Sequence, residues 1–196
     1  MKKNQEKSLN NVNNDQFESA YNKCLHWFYS LPTRTIGLSK LSSQIKSSKK
    51  ATTLAVQNLI SSGFLFRQIA GRSWILSANP KHSYLLTKKM PFHLSKIYES
   101  GIIEAVHQKI PQARAIVLFG SFRWGTDIEG SDIDIAVEVI DNQNLKIISL
   151  GTINEFGYRK NVPVNLHVFS RNKIDLNLFS NIANGILLDG FLEVKP

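Results

Sequence analysis

Two aspartates, Asp132 and Asp134, alternate with Ile133 and Ile135 at a period of two. In a β-strand this alternation puts both carboxylates on one face and both isoleucines on the other, against a core. The carboxylates would lie about 6–7 Å apart at about 3.3 Å per residue, and they repel each other unless a cation lies between them. Carboxylate oxygens suit Mg²⁺, which completes its shell with water and phosphate, so the pair predicts a Mg²⁺ site.

An apolar run, Ala115 to Phe119, ends at Gly120 and Ser121. The run is short enough for a buried strand, and the Gly-Ser pair would begin a helix. The free N–H groups and the dipole at a helix N-terminus can hold phosphates. A phosphate cradle beside two metal ligands indicates chemistry on a nucleoside triphosphate, with Arg123 and Ser131 as further candidate nucleotide contacts.

These two segments resemble the signature of the nucleotidyltransferase superfamily typified by DNA polymerase β, especially its minimal bacterial and archaeal members. The signature is a hydrophobic residue and Gly-Ser, a spacer, then Asp-hydrophobic-Asp-hydrophobic. It matches here as 119–121 and 132–135, with ten residues, 122–131, between them. The resemblance extends from near Lys96 to the end of the chain. It implies transfer of a nucleoside monophosphate from an NTP, expected to be ATP, to a hydroxyl on a protein or nucleic acid, with Asp132 and Asp134 as the catalytic, metal-binding pair.

The superfamily normally has a third carboxylate on a later strand, where it helps to bind the metal and can accept the proton of the attacking hydroxyl. The strand predicted from Val162 to Phe169 has Asn165 at this position and His167 on the same face. An amide carries no charge and cannot act as a base near neutral pH. A neutral imidazole could take a proton at pH 7. Two alternatives stay open: His167 is the proton acceptor, or it is an ordinary residue of a half-exposed strand.

Other carboxylates near the pair are weaker candidates. Glu138 shares their face but lies about 13 Å along the strand from Asp134, at about 3.3 Å per residue, which is too far for one metal site. Asp127 and Glu129 fall in the loop before the pair, and we expect them to be solvated there rather than to bind metal.

The charge of the chain is unevenly distributed. The 196 residues have a net charge of +9. Residues 1–95 contain 14 Lys and Arg against 3 Asp and Glu, which gives +11, whereas residues 96–196 contain 10 against 12, which gives −2. This asymmetry predicts two units with different partners, and the basic one is the candidate for nucleic acid.

The basic half predicts a series of helices. Residues 1–14 carry few apolar side chains and are expected to form a disordered tail. Apolar residues then recur at three- and four-residue spacing from Asp15 to Phe28, which indicates an amphipathic helix. A short helix over Leu38–Ile45 and a longer one over Lys49–Ile60 follow, the latter with Leu54 among its inward residues.

Two strands, Phe64–Ile69 and Ser73–Ser77, are predicted next, joined by a hairpin turn. Three helices and a hairpin in this order resemble a winged helix-turn-helix domain, here over residues 15–78. The third helix would enter the major groove of duplex DNA and the hairpin would be the wing. The expected DNA-binding residues are Lys49, Lys50, Thr52, Thr53, Gln57, Arg67 and Arg72.

The remaining sequence predicts a linker over 79–95 and a nucleotidyltransferase domain over 96–196. The expected fold class is α+β: the winged helix-turn-helix domain followed by a mixed-sheet α/β domain. Helices are predicted over His93–Lys109, Leu145–Tyr158 and Ile174–Asn184, with a final strand near the C-terminus.

Several functions stay open at this stage. Besides the transferase, the chain could be a DNA-binding regulator or antitoxin-like protein whose nucleotidyltransferase domain binds nucleotide but is weakly active or inactive because of Asn165. A partner protein and a homodimer are compatible with both. No apolar run of about 18 residues is present, so no membrane span is expected. The single cysteine, Cys24, and the polar sequence after Met1 favour a cytoplasmic protein.

Overall fold

The computed structural model of the chain describes residues 19–194. The chain divides after Tyr84 into two compact units. The predicted disordered tail over 1–14 and the start of the first predicted helix lie outside the described residues. In that described part, no helix is long and apolar enough to cross a membrane.

The first unit is built around a three-stranded antiparallel sheet in the order β1-β3-β2. Buried rings of Phe28, Tyr29 and Phe64 pack edge to face in its core, with centroids 5.8 and 6.4 Å apart for the pairs that include Phe64. In chain order the elements are α1 (19–30), β1 (Ile36–Gly37), α2 (Leu38–Gln44), α3 (Lys49–Ser61), β2 (Leu65–Ala70) and β3 (Ser73–Ala78).

The helices and the hairpin predicted for this unit are confirmed. Helix α3 begins where Ser48 accepts a hydrogen bond from the backbone N–H of Ala51, as expected of an N-cap. The hairpin turns at Gly71 and Arg72, between the paired residues Ala70 and Ser73. Strand β1 is an addition to the prediction, since two residues are too few to give a periodic signal. The assignment of this unit to the winged helix-turn-helix family stays a prediction.

The second unit has a five-stranded mixed sheet in the order β6-β7-β5-β4-β8. Strands β5 and β7 are parallel and every other neighbouring pair is antiparallel. Its elements are α4 (Tyr84–Thr87), α5 (Lys89–Glu99), α6 (Ile102–Lys109), β4 (Ala115–Phe119), α7 (Gly120–Trp124), β5 (Ile133–Glu138), β6 (Lys146–Phe156), β7 (Arg159–Phe169), a 3₁₀ turn (Arg171–Lys173), α8 (Leu176–Ala183) and β8 (Ile186–Gly190).

Helices cover both faces of this sheet. Ile133, Ile135 and Leu166 pack in the larger core cluster with residues of α5 and α6, and Ala136 packs on the other face with Ile182 of α8. A sheet buried on both faces explains the continuous apolar run of β4, in which every residue is buried. The strands next to Gly120 and the aspartate pair, β4 and β5, are therefore firmly packed in the core of the unit.

The helix predicted over Leu145–Tyr158 is wrong. This segment is β6, which pairs with β7 along its length. A β-bulge between Ser149 and Gly151 shifts the register by one residue, so the inward side chains change from Ile148 and Leu150 to Ile153. The shift interrupts the alternation of inward and outward side chains by which a strand is recognised in a sequence.

The segment before the sheet also differs from its prediction. The helix expected over His93–Lys109 is two helices, α5 and α6, separated at Gly101, whose φ of 74° is incompatible with a continuing helix. Residues 85–95 belong to the second unit, whereas the sequence predicts a linker over 79–95. Lys89 and His93 within that segment are buried at 0% and 1% exposure.

Candidate active site

The aspartate pair lies where β5 begins. Ile133 and Ile135 are fully buried, whereas Asp132 and Asp134 are partly exposed on the other face. The predicted division of the two faces is confirmed. Parallel pairing with β7 sets Asn165 opposite Asp134, so the predicted third-strand position does lie beside the pair.

Side chains of β7 hold both carboxylates. The amide of Asn165 donates a hydrogen bond to Asp132 Oδ2. The Nε2 atom of His167 lies 3.1 Å from Asp134 Oδ1. Its Nδ1 atom is buried and has no hydrogen-bond partner within residues 19–194. The ring of Phe119 packs edge-on against the imidazole, with centroids 4.9 Å apart.

Gly120 brings the loop after β4 against the second aspartate. Its φ is 71°, and a Cβ atom at this position would lie 2.8 Å from Asp134 Oδ2. Only glycine adopts this conformation without strain and leaves room for the carboxylate. Helix α7 begins here, as the sequence predicts, and Phe122 anchors its inner side in the core at 0% exposure. The backbone that precedes Ser121 thus lies close to the second aspartate of the pair.

Residues 99–187 match the nucleotidyltransferase domain family. The matched segment contains Gly120, Ser121, both aspartates and Asn165, and it supports the superfamily that the sequence predicts. Nucleotidyltransferase domains in general transfer a nucleoside monophosphate and use an NTP with a divalent metal. A comparison with curated proteins finds no match to the chain.

Two predicted nucleotide contacts of the nucleotidyltransferase domain have partners within the chain. Arg123 donates from Nε to the carbonyl of Asn184 at 3.1 Å, and its guanidinium lies 4.2 Å from the ring centroid of Trp124. The hydroxyl of Ser131 accepts a hydrogen bond from the backbone N–H of Ile128 at 2.9 Å. Ser131 therefore shapes the loop before the aspartates, and the contact of either residue with nucleotide stays a prediction.

The pair fits a cation that is shared with a ligand better than one held by protein alone. Asp134 Oδ2 lies in the space that a side chain at Gly120 would occupy. Two carboxylates and a neutral amide supply oxygen ligands, but too few to fill the shell of Mg²⁺. Across residues 19–194 no group of three or more His, Cys, Asp or Glu side chains is arranged to hold a metal ion. Phosphate and water oxygens would have to complete the shell.

The prediction for Asp127 is wrong. The sequence predicts a solvated side chain, yet Asp127 is 2% exposed and lies in a buried ionic cluster. Its Oδ1 lies 2.8 Å from Lys89 Nζ and 3.6 Å from His93 Nε2, and its Oδ2 lies 3.6 Å from Arg159 Nη1. No local pattern predicts this cluster, because Lys89, His93 and Arg159 are each more than 30 positions from Asp127 along the chain.

Burial controls the protonation of this cluster. It lowers the pKa of Lys89 and of Arg159, and the carboxylate of Asp127 opposes both shifts. Burial also lowers the pKa of His93 from 6.5 to about 4, against the opposing effect of Asp127. At neutral pH the imidazole is therefore uncharged, with Nδ1 lying 3.2 Å from the carbonyl of Phe122.

Glu138 has a partner within the protein. It is 1% exposed, and Oε1 accepts hydrogen bonds from Arg171 at 2.8 and 3.1 Å.

The predicted DNA-binding face of α3 is partly wrong. Thr52 is fully buried, and its hydroxyl donates to the carbonyl of Ser48 at 2.9 Å, so it cannot contact DNA. Leu54, expected to face inward, is 48% exposed. The buried side of the helix is instead formed by Ala51, Thr52, Ala55, Val56 and Leu59. The exposed or partly exposed members of the predicted set are Lys49, Lys50, Thr53, Gln57, Arg67 and Arg72.

A basic groove lies between α2, α3 and the hairpin of the first unit. Its volume is about 260 Å³. Three cationic side chains line it, from Lys40, Lys49 and Arg72. Arg67 stacks at 4.7 Å from the ring centroid of Trp74, the aromatic residue of the groove. Of the predicted DNA-binding residues, two of these cations, Lys49 and Arg72, thus converge on one concave surface.

Protonation of His93 at low pH should reduce the free energy of unfolding. Its folded pKa is about 4 and its ordinary value is 6.5, so the unfolded chain takes up the proton first as pH falls. The stabilising effect of the neutral ring is complete above pH 6.5 and is lost between pH 6.5 and 4. At about 1.4 kcal/mol per pKa unit, the loss is on the order of 3 kcal/mol. Urea unfolding at pH 7.5, 6 and 5 should show a shallower pH dependence for His93→Phe than for wild type, and equal slopes would contradict the assignment.

Proposed function

We propose that the chain is a Mg²⁺-dependent nucleotidyltransferase that moves a nucleoside monophosphate from an NTP to a hydroxyl of a protein or nucleic acid. The observation that carries this proposal is the close approach of Gly120 to Asp134, two residues after Asp132, so that the backbone proposed to bind phosphate lies beside the two proposed metal ligands. The family match over residues 99–187 supports it independently. ATP is the first nucleotide to test.

Each group at the site has a defined role in this proposal. The backbone N–H groups of Gly120 and Ser121, with the Ser121 hydroxyl, bind the β- and γ-phosphates. Asp132 and Asp134 would hold Mg²⁺, which would supply positive charge to polarise the α-phosphate and to offset the charge of the pyrophosphate leaving group. Asn165 keeps Asp132 in place through its amide. The acceptor oxygen forms a bond to the α-phosphorus as the bond to pyrophosphate breaks.

The proton of the acceptor hydroxyl goes to water in this scheme. Asn165 cannot take it, since an amide is not a base near neutral pH. His167 has Nε2 against Asp134 and Nδ1 buried, which favours a role in orienting Asp134 over that of proton acceptor. The chemical step therefore depends on orientation and charge more than on a protein base.

Removing either carboxylate should abolish the reaction. With [α-³²P]ATP, Mg²⁺ and a cell extract as the source of acceptors, wild type should transfer label. Asp132→Ala and Asp134→Ala should each reduce transfer by at least about 100-fold, because several kcal/mol of charge stabilisation are lost. Asp189→Ala, which removes an exposed carboxylate from β8, is the matched control and should keep full transfer. Transfer that persists in both site variants would exclude this active site.

The role of Asn165 can be tested by replacing its neutral amide with a carboxylate. If the neutral amide limits the reaction, Asn165→Asp should increase the transfer rate, by about tenfold for each 1.4 kcal/mol gained. A carboxylate there would also repel Asp132 without metal, so the gain should appear only at saturating Mg²⁺. A loss of transfer at every Mg²⁺ concentration would mean that the asparagine is used as it stands.

A second candidate function is DNA-dependent regulation by the first unit, as a winged helix-turn-helix domain. The groove lined by Lys40, Lys49 and Arg72 supports it, because clustered cations bind the phosphate backbone. The exposed Gln57 and the partly exposed Thr53 on α3 could reach base edges. Under this alternative the nucleotidyltransferase domain binds nucleotide as a sensor, with Asn165 accounting for weak or absent transfer.

Duplex binding should depend on these cations and on salt. Lys49→Ala/Arg72→Ala should weaken binding uniformly across sequences and reduce the slope of log K against log[salt] by about 2. Lys81→Ala, which removes an exposed lysine of the same unit outside the groove, should leave both unchanged. Fluorescence anisotropy with a labelled duplex at 50–200 mM salt measures both quantities. If the double variant binds as wild type does, the groove does not contact DNA.

A further inference from the structure

A buried lysine holds the loop that connects the two halves of the candidate site. Lys89 on α5 is 0% exposed. Its ammonium lies 3.1 Å from the carbonyl of Gly125, 2.9 Å from the carbonyl of Asp127 and 2.8 Å from Asp127 Oδ1. All three of these oxygen atoms belong to one loop, residues 125–131, and an ammonium can donate up to three hydrogen bonds.

Arg159 at the start of β7 holds the other end of the same loop. Its Nη2 atom donates to the carbonyl of Ser131, the residue immediately before Asp132. Its Nη1 atom lies 3.6 Å from Asp127 Oδ2, and its guanidinium lies 5.3 Å from the ring centroid of Phe122. Two cations from distant segments thus meet on the carboxylate of Asp127, in the middle of the loop.

The position of the loop explains what the cluster can do. Residues 125–131 begin where α7 ends and stop where the aspartate pair begins. Helix α7 carries Gly120 and Ser121 at its start, so the loop sets where the phosphate-binding backbone stands relative to Asp132. Buried ion clusters are costly to desolvate and give little net stability, whereas fixing the geometry of a site is a use that justifies the cost.

We propose that Lys89 and Arg159 are positioning residues for the metal site. They act through Asp127 and the backbone of residues 125–131, and so fix the position of Asp132 relative to Gly120. This inference rests on the proposed function. Neither residue touches substrate: Lys89 is fully buried and Arg159 is 6% exposed. Their effect is transmitted through the carbonyls of Gly125, Asp127 and Ser131.

The test compares three variants of the full chain. Lys89→Met keeps the length of the side chain and removes its three donors. Arg159→Lys keeps the charge but not the fork that reaches both Ser131 and Asp127. Arg171→Met is the matched control, since it removes a cation from the buried Glu138, near the other end of β5. Circular dichroism and thermal unfolding establish that each variant is folded.

Two measurements decide the proposal. The first is the affinity for Mn²⁺ in the presence of α,β-methylene-ATP, followed by the electron paramagnetic resonance signal of free Mn²⁺. Loss of groups that orient a metal ligand costs roughly 10- to 100-fold in affinity, so we expect a fall of at least about tenfold in Lys89→Met and Arg159→Lys and none in Arg171→Met. The second is hydrogen exchange of peptides spanning residues 125–132, which should become faster in the first two variants alone.

Each outcome has a definite meaning. Affinity and exchange at wild-type values in folded Lys89→Met or Arg159→Lys would overturn the proposal, and so would an equal loss of affinity in Arg171→Met. If Lys89→Met does not fold, Arg159→Lys decides alone. If wild type itself binds no Mn²⁺ with the analogue, the proposed function fails, and exchange of residues 125–132 still decides whether Lys89 and Arg159 hold the loop.

Discussion

The repulsion between Asp132 and Asp134 is the constraint around which the second unit is built. Two carboxylates on one face of a strand are stable only if neighbouring groups or a cation offset their charge. Strand β7 supplies partners for both carboxylates, with the amide of Asn165 at Asp132 and the imidazole of His167 at Asp134. Neither of these partners is a lysine or an arginine. In the proposed function a divalent cation would supply the remaining positive charge.

The charged side chains of the same unit form two groups. Some are paired with each other and hold parts of the structure in place, whereas the aspartate pair is proposed to bind a ligand. Lys89, Arg159 and Arg171 are paired with Asp127 or Glu138 in buried or partly buried clusters. The aspartate pair, in contrast, lies beside an amide and an imidazole and stays partly open to solvent, with the Asp134 side chain 25% exposed. The buried ion pairs thus hold the loop over residues 125–131 and strand β5 in place, while the carboxylates of Asp132 and Asp134 remain accessible to a ligand.

Much of the fold can be predicted from the sequence because its signals are local. The apolar run of β4, the alternation at β5 and the Ser48 cap of α3 each depend on a few adjacent residues, and each is found where it is expected. The juxtaposition of Asn165 with the aspartates is also found. It is implied by the resemblance to the superfamily, which places a third side chain on this strand beside the pair.

The failures have specific physical causes. The bulge at Ser149 and Gly151 interrupts the period of two, so β6 is mistaken for a helix. The hydroxyl of Thr52 donates a hydrogen bond to the carbonyl of Ser48 on the preceding turn, which allows this polar residue to lie on the buried face of α3. Asp127 is polar and lies in a loop, yet partners from α5 and β7 make it buried. Such long-range pairing leaves no trace in local composition.

The bulge in β6 has a consequence beyond the register of that strand. Strand β6 is at the edge of the five-stranded sheet, where its outer backbone groups could pair with a strand of another molecule. A bulge twists an edge strand and interrupts the row of donors and acceptors that such pairing needs. The irregularity at Gly151 therefore also works against edge-to-edge aggregation, and it does so without shortening the eleven-residue strand that supports β7.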